Sequence, residues 1–229
     1  MTIGIIAAMP QELAELLLHL DNRLDETVLG RTYHTGRLSG QSVVLVQSGV
    51  GKVMSAMSVA ALADHFGVTA VINTGSAGAV AQGLAVGDVV LADQLVYHDV
   101  DLTAFGYAYG QMSGQPLYFD TDERLRSAFS EAIAEQDLTS RVGLIATGDS
   151  FIASSAIIQE IKAHFPQVLA VEMEGAAIAQ AAHSLDLPVL VVRAMSDTAD
   201  HEANISFDTF IIEAGKRSAQ MVLAGLAKL

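Results

Sequence analysis

Carboxylates recur where an apolar run of this chain gives way to a helical pattern. Glu12 lies just past the apolar residues 2–8, and Glu172 and Glu174 flank Met173 where another apolar run meets an alanine-rich segment. Asp149 follows a third such run and Asp197 a fourth. An acid held at such a junction loses water, which raises its pKa toward values useful for proton transfer. The commoner employment of an acid there is as a helix cap or first-turn acid, and Asp149 reads that way. The others suit hydrolysis of a glycosidic bond, in which one acid protonates the leaving group, another activates water and a third holds sugar hydroxyls. Phosphorolysis would need converging cations. Lys52 and Arg193 are the only basic residues close to the glycine-rich or acidic junctions.

Other chemistries find less support. Gly49-Val50-Gly51-Lys52 resembles the end of a phosphate-binding loop, but the earlier glycine is absent and Val53 stands where Ser or Thr should hold magnesium. No Gly-x-Gly-x-x-Gly follows the first apolar run. Thr74-Gly75-Ser76-Ala77-Gly78 resembles a nucleophile elbow with Thr74 replacing its first glycine, and Ser76 has no evident histidine partner. The seven histidines are scattered without a His-x-x-x-His pair. His98, Asp99 and Asp101 could ligate a cation, although a hydrogen-bonded strand terminus is the commoner explanation; no metal is expected. The absence of cysteine removes disulfides, thiolate metal sites and cysteine nucleophiles.

The elements that must position these groups follow from hydrophobic pattern. Of the 229 residues, 51% are hydrophobic, and mean hydropathy is +0.40, enough for a substantial core. A continuous apolar run at 2–8 and the segments 69–74, 86–98, 141–147, 168–172 and 189–194 read as strands. Residues 31–38 and 42–48, on either side of Ser39-Gly40, read as a hairpin. Helical patterns occupy 11–20, 51–66, 121–135, 154–165, 174–185 and 206–229. Strands apolar throughout and separated by helices predict one α/β domain, residues 1–229, with a mixed, mostly parallel sheet covered on both faces. Residues 101–120 fit neither period but carry Phe105, Tyr107, Tyr109, Tyr118 and Phe119. Such a loop suits a ligand lid or a subunit contact, or folds its aromatics inward.

Charge narrows the partners. With 12 basic and 26 acidic side chains the net charge is −14, which disfavours nucleic acid and anionic membranes. The first residues show neither a basic segment nor a long apolar one, and no apolar run approaches a membrane span. A cytoplasmic protein acting on small molecules is expected.

Taken together, Gly49-Val50-Gly51-Lys52, TGSAG at 74–78, TAFGYAYGQ at 103–111, TGDSFI at 147–152, VEMEGAAIAQ at 171–180 and VRAMSDTAD at 192–200 resemble the 5′-methylthioadenosine/S-adenosylhomocysteine nucleosidase family. The resemblance runs from about Ile3 to the final helix. It implies a nucleoside phosphorylase-like fold and hydrolytic release of adenine from 5′-substituted adenosines, without cofactor or metal. In that reading Asp197 is the general acid at adenine N7, held by Ser196, and Glu12 activates the water. Glu174 binds the ribose hydroxyls with the Met173 backbone, while Arg193 and Ser76 order the water and sugar region. Gly78 and Glu172 join the substrate-binding positions, Phe151 stacks on adenine, and the Ile152 backbone reads the adenine edge. Met9, Val50 and Phe207 line the 5′-alkylthio pocket. The family is homodimeric, and Leu102 and Phe105 of the second copy would complete that pocket.

Overall fold

A computed structural model of the chain describes residues 1–136, 138–198 and 203–229, with the backbone alone for 203–208. The apolar run of β1 (Thr2–Ala7) is buried from its second residue onward and sits in the middle of a sheet, paired in parallel with both β4 (Gln41–Gln47) and β5 (Ala70–Ala79). Residues that are apolar on both faces need cover on both faces, and the helices supply it. One layer contains α2 (Lys52–Asp64) and α5 (Gly175–Ser184), whose Leu62 and Ile178 are fully buried. The other contains α1 (Pro10–Leu18), α3 (Glu123–Ala134) and the long α6 (Ala203–Leu226), with Leu16, Phe129 and Val222 fully buried. A third cluster lies beneath α4 (Ser155–His164), around Ile161 and Phe165.

The strand order is β10-β6-β8-β9-β5-β1-β4-β3-β2, built further from β2 (Asp21–Val28), β3 (Arg31–Leu38), β6 (Val89–Tyr97), β8 (Ser140–Thr147), β9 (Val168–Glu172) and β10 (Val189–Asp197). The two-residue β7 (Phe119–Asp120) pairs with β6. Because β10 also pairs with β5, the strands β5, β9, β8, β6 and β10 close a ring. The sheet is mixed as expected, but among the described residues its antiparallel pairings equal the parallel ones, five of each. Closing the ring requires two of the antiparallel contacts, β10–β6 and β5–β9.

Three elements differ from the sequence reading, two of them at the site. The expected strand at 69–74 continues through Gly75-Ser76-Ala77-Gly78, buried throughout, because Gly78 pairs with Val171 of β9 and with Asp197 of β10. Likewise β10 continues past Ala194 to Asp197, with an irregular register between Met195 and Asp197 that re-aims the last side chains. The third is β2, absent from the pattern because none of its residues is buried. The 31–38/42–48 hairpin forms as expected, with positive φ at Ser39 and Gly40.

Candidate active site

The C-terminal parts of β5, β9 and β10 meet the start of α1 and the loops that follow β4 and β8 around a cavity of about 370 Å³. Its lining brings together Glu12, Ser76, Gly78, Glu172, Met173 and Glu174 with Arg193, Ser196 and Asp197. Met9 and Val50 form one further part of the wall, and Phe151 with Ile152 another.

Glu12 is anchored on both oxygens. Pro10 opens α1, which places Glu12 in its first turn. Its Oε2 accepts the amides of Ala8 and Met9, each at 3.0 Å. Its Oε1 accepts the Ser76 amide at 2.9 Å and the Ser76 hydroxyl at 3.0 Å. Only 1% of Glu12 is exposed, so its acceptor edge is fixed by groups that cannot be replaced by bulk water. Gly75 makes room for this: a Cβ there would stand 2.7 Å from Glu12 Oε1 and 2.6 Å from Arg193 Nη1.

Among the described residues Arg193 is the sole basic residue of the lining. It is buried, and its Nη2 donates to Glu172, to Asn73 Oδ1 at 2.6 Å and to Glu174 Oε2 at 3.3 Å, while Nη1 donates to the Ser76 carbonyl at 3.3 Å. Burial opposes the guanidinium charge, but Glu172, Glu174 and Glu12 overcome it and hold the group protonated more firmly than usual. Glu172 also accepts from the Thr147 hydroxyl and from the amides of Glu174 and Gly175, at 2.9 and 2.8 Å. It is thereby a fixed support for the turn bearing Glu174. Glu174 itself accepts the Gly51 amide at 2.9 Å. Burial pushes its carboxyl up to about 7; Arg193 pulls the other way, and Glu172 adds to the rise. On the opposite strand Asp197 is buried, with Ser196 Oγ donating to its Oδ2 at 2.9 Å.

Phe151 is 44% exposed on the cavity rim, whereas Ile152 is buried. Leu102 and Phe105 do not line the cavity of this chain; they sit on the loop whose residues Thr103–Phe105 form a short 3₁₀ turn, and Phe105 is 80% exposed. The other aromatics of that loop divide. Tyr109 stacks on His164 at 3.8 Å, Phe119 is buried, and the Tyr107 hydroxyl bonds Ser113 Oγ at 2.9 Å. The side chain of Phe207 lies outside the described residues. Among the described residues no group of three His, Cys, Asp or Glu could hold a metal ion, and no helix is long and apolar enough to cross a membrane.

Asn73 and Thr147 escaped the sequence reading, although each is a fully buried polar residue among apolar strand neighbours. That placement was the available signal, because a buried polar group needs a partner. Asp149 also departs from expectation. It does not cap the helix that follows it; its Oδ1 accepts the Lys52 amide at 2.8 Å, at the first turn of α2.

Residues 2–227 match the phosphorylase superfamily. A 5′-methylthioadenosine/S-adenosylhomocysteine nucleosidase of Aeromonas salmonicida is 47% identical over 230 residues, covering 100% of both chains. The chain belongs to the phosphorylase superfamily, within the 5′-methylthioadenosine/S-adenosylhomocysteine nucleosidase family. Solved members are similar in fold as well. The nucleosidase of S. pneumoniae, with a transition-state inhibitor, superposes with a TM-score of 0.97 at 68% identity over 99% of each chain. The S-adenosylhomocysteine nucleosidase of Streptococcus pyogenes, in complex with 5-methylthiotubericidin, gives 0.98 at 62% identity over 100% of this chain and 97% of the other.

Proposed function

We propose that this chain hydrolyses the N-glycosidic bond of 5′-methylthioadenosine and S-adenosylhomocysteine, releasing adenine and the 5-thio-substituted ribose. The observation that carries hydrolysis is the charge of the cavity. Beside the acid Asp197, three buried carboxyl groups, Glu12, Glu172 and Glu174, face among the described residues one guanidinium that is already engaged by Glu172. Lys52, the other candidate cation, is engaged by Asp99 at 2.7 Å. A phosphate co-substrate would enter a field of its own sign, whereas a neutral nucleoside and a water would not.

The lining of the cavity supports the following roles. Protonated Asp197 gives its proton to adenine N7 as the bond to C1′ breaks, and the bonding electron pair leaves with the base. Ser196 holds the acid. Glu12 takes a proton from the water whose oxygen bonds to C1′, so one water is consumed and its elements are divided between base and sugar. Glu174 accepts the ribose hydroxyls beside the Met173 backbone, with Arg193 and Ser76 aligning the carboxylates. Phe151 and Ile152 hold the purine and Met9 and Val50 contact the 5′ thioether, a pocket to which the family resemblance adds Phe207. No cofactor or metal enters the scheme. A second copy of the chain contributes Leu102 and Phe105; the exposure of Phe105 supports that contact.

Asp197→Asn tests the assignment. It should lower kcat by about 10²–10⁴ while KM for 5′-methylthioadenosine changes by only a few-fold. A variant with kcat within twofold of the parent removes Asp197 as the acid.

A further inference from the structure

Three features stand outside this chemistry: the Gly51-Lys52 step, Asp149, and the His98-Asp99 pair. The fold brings them to one place. Gly51, at φ +97°, precedes α2 and leaves the Gly51 and Lys52 amides outside the helical ladder. Two carboxylates take them. Glu174 Oε1 accepts from Gly51 at 2.9 Å, and Asp149 Oδ1 accepts from Lys52 at 2.8 Å. The Asp149 amide in turn donates to Asp99 Oδ2 at 2.8 Å. Lys52 Nζ lies 2.9 and 2.7 Å from the two Asp99 oxygens and 3.7 Å from Asp149 Oδ2. The preceding Gly148 rests on the His98 ring: a Cβ there would stand 2.3 Å from His98 Cε1, and the Gly148 amide donates to the Glu172 carbonyl at 3.1 Å.

The first turn of α2 is therefore joined to two walls of the cavity at once. Through Gly51 it holds Glu174, and through Lys52 and Asp149 it holds the strand-to-helix loop that carries Ser150, Phe151 and Ile152. An exposed Lys–Asp pair alone contributes little. Amides at a helix N-terminus donating to carboxylates are charge-assisted and favoured by the helix dipole, so the backbone bonds dominate.

We propose that Asp149, supported by Lys52 and Asp99, is a positioning residue: a clasp that fixes the Phe151 wall relative to Glu174. In the nucleosidase reading, on which the names of the substrate halves rest, it keeps the purine subsite in register with the sugar subsite. Nothing in the clasp touches the reacting atoms.

The test compares Asp149→Ala with Asp149→Asn. The alanine variant should raise KM for 5′-methylthioadenosine and the Kd for adenine, read by calorimetry, by roughly five- to tenfold, the scale of a lost helix-terminal acceptor. Its kcat should stay within about threefold. Asparagine keeps an oxygen for the Lys52 amide and should restore most of the affinity. A melting temperature lowered by alanine without any change in KM or Kd overturns the proposal, as does an asparagine variant as weak as alanine. Failure of the parent protein to release adenine would count against the nucleosidase reading alone, since adenine binding still reports on the clasp.

Discussion

Glu174 has a titration with consequences that reach beyond its own contacts. Burial raises its carboxyl from the ordinary 4.5 to about 7, and Arg193 offsets that only in part. The folded chain thus keeps a proton that the unfolded chain gives up as pH rises from 4.5. The stabilising contribution is complete below pH 4.5 and is lost as pH rises through 7. Two sugar hydroxyls donating to the carboxylate would favour its charged form, so the cost belongs to the empty cavity. Glu174→Gln should therefore gain thermal stability relative to the parent on going from pH 5 to pH 8, measured on the unliganded proteins. A Tm difference that stays constant across that range would show that the carboxyl does not titrate there.

At the scale of elements, β5 and β10 matter because their last residues are site residues. The glycines of TGSAG suggest a turn, yet Gly75 is set by Arg193 and Glu12, which occupy the space a Cβ there would need. Gly75→Ala should displace the Glu12 carboxylate and lower kcat by about 10², read with 5′-methylthioadenosine as substrate; kcat within twofold of the parent would refute that dependence. The buried strands are legible because β1 is an apolar run with clear ends and β6, β8 and β9 each carry a buried apolar stretch. Pattern could not reveal β2, whose exposed charges protect a sheet edge and which sends only Val28 against the core. Carboxylates at strand ends stood out against apolar neighbours, whereas Asn73 and Thr147 gain their roles only when the strand register sets them beside Arg193 and Glu172. Asp149 does take a helix-terminal amide, but of α2 rather than of the helix that follows it, because its partner, Lys52, is 97 residues away in sequence.

For the whole molecule, the mixed sheet hides its apolar strands between two helical layers but leaves Phe105, Val53 and Met57 exposed, the last two a turn apart on α2. Apolar side chains so placed suit a two-fold contact. Light scattering at assay concentration should give about 48 kDa, twice the chain mass of 24.1 kDa; a value near 24 kDa would remove the second copy from the 5′ pocket. The acidic cavity, with its one committed guanidinium, makes the broader claim that water rather than phosphate attacks the sugar. Adenine release from 5′-methylthioadenosine, followed with and without inorganic phosphate, tests it most directly. Equal rates with free 5-methylthioribose as the product are predicted, and a rate that requires phosphate and yields a sugar 1-phosphate would contradict it.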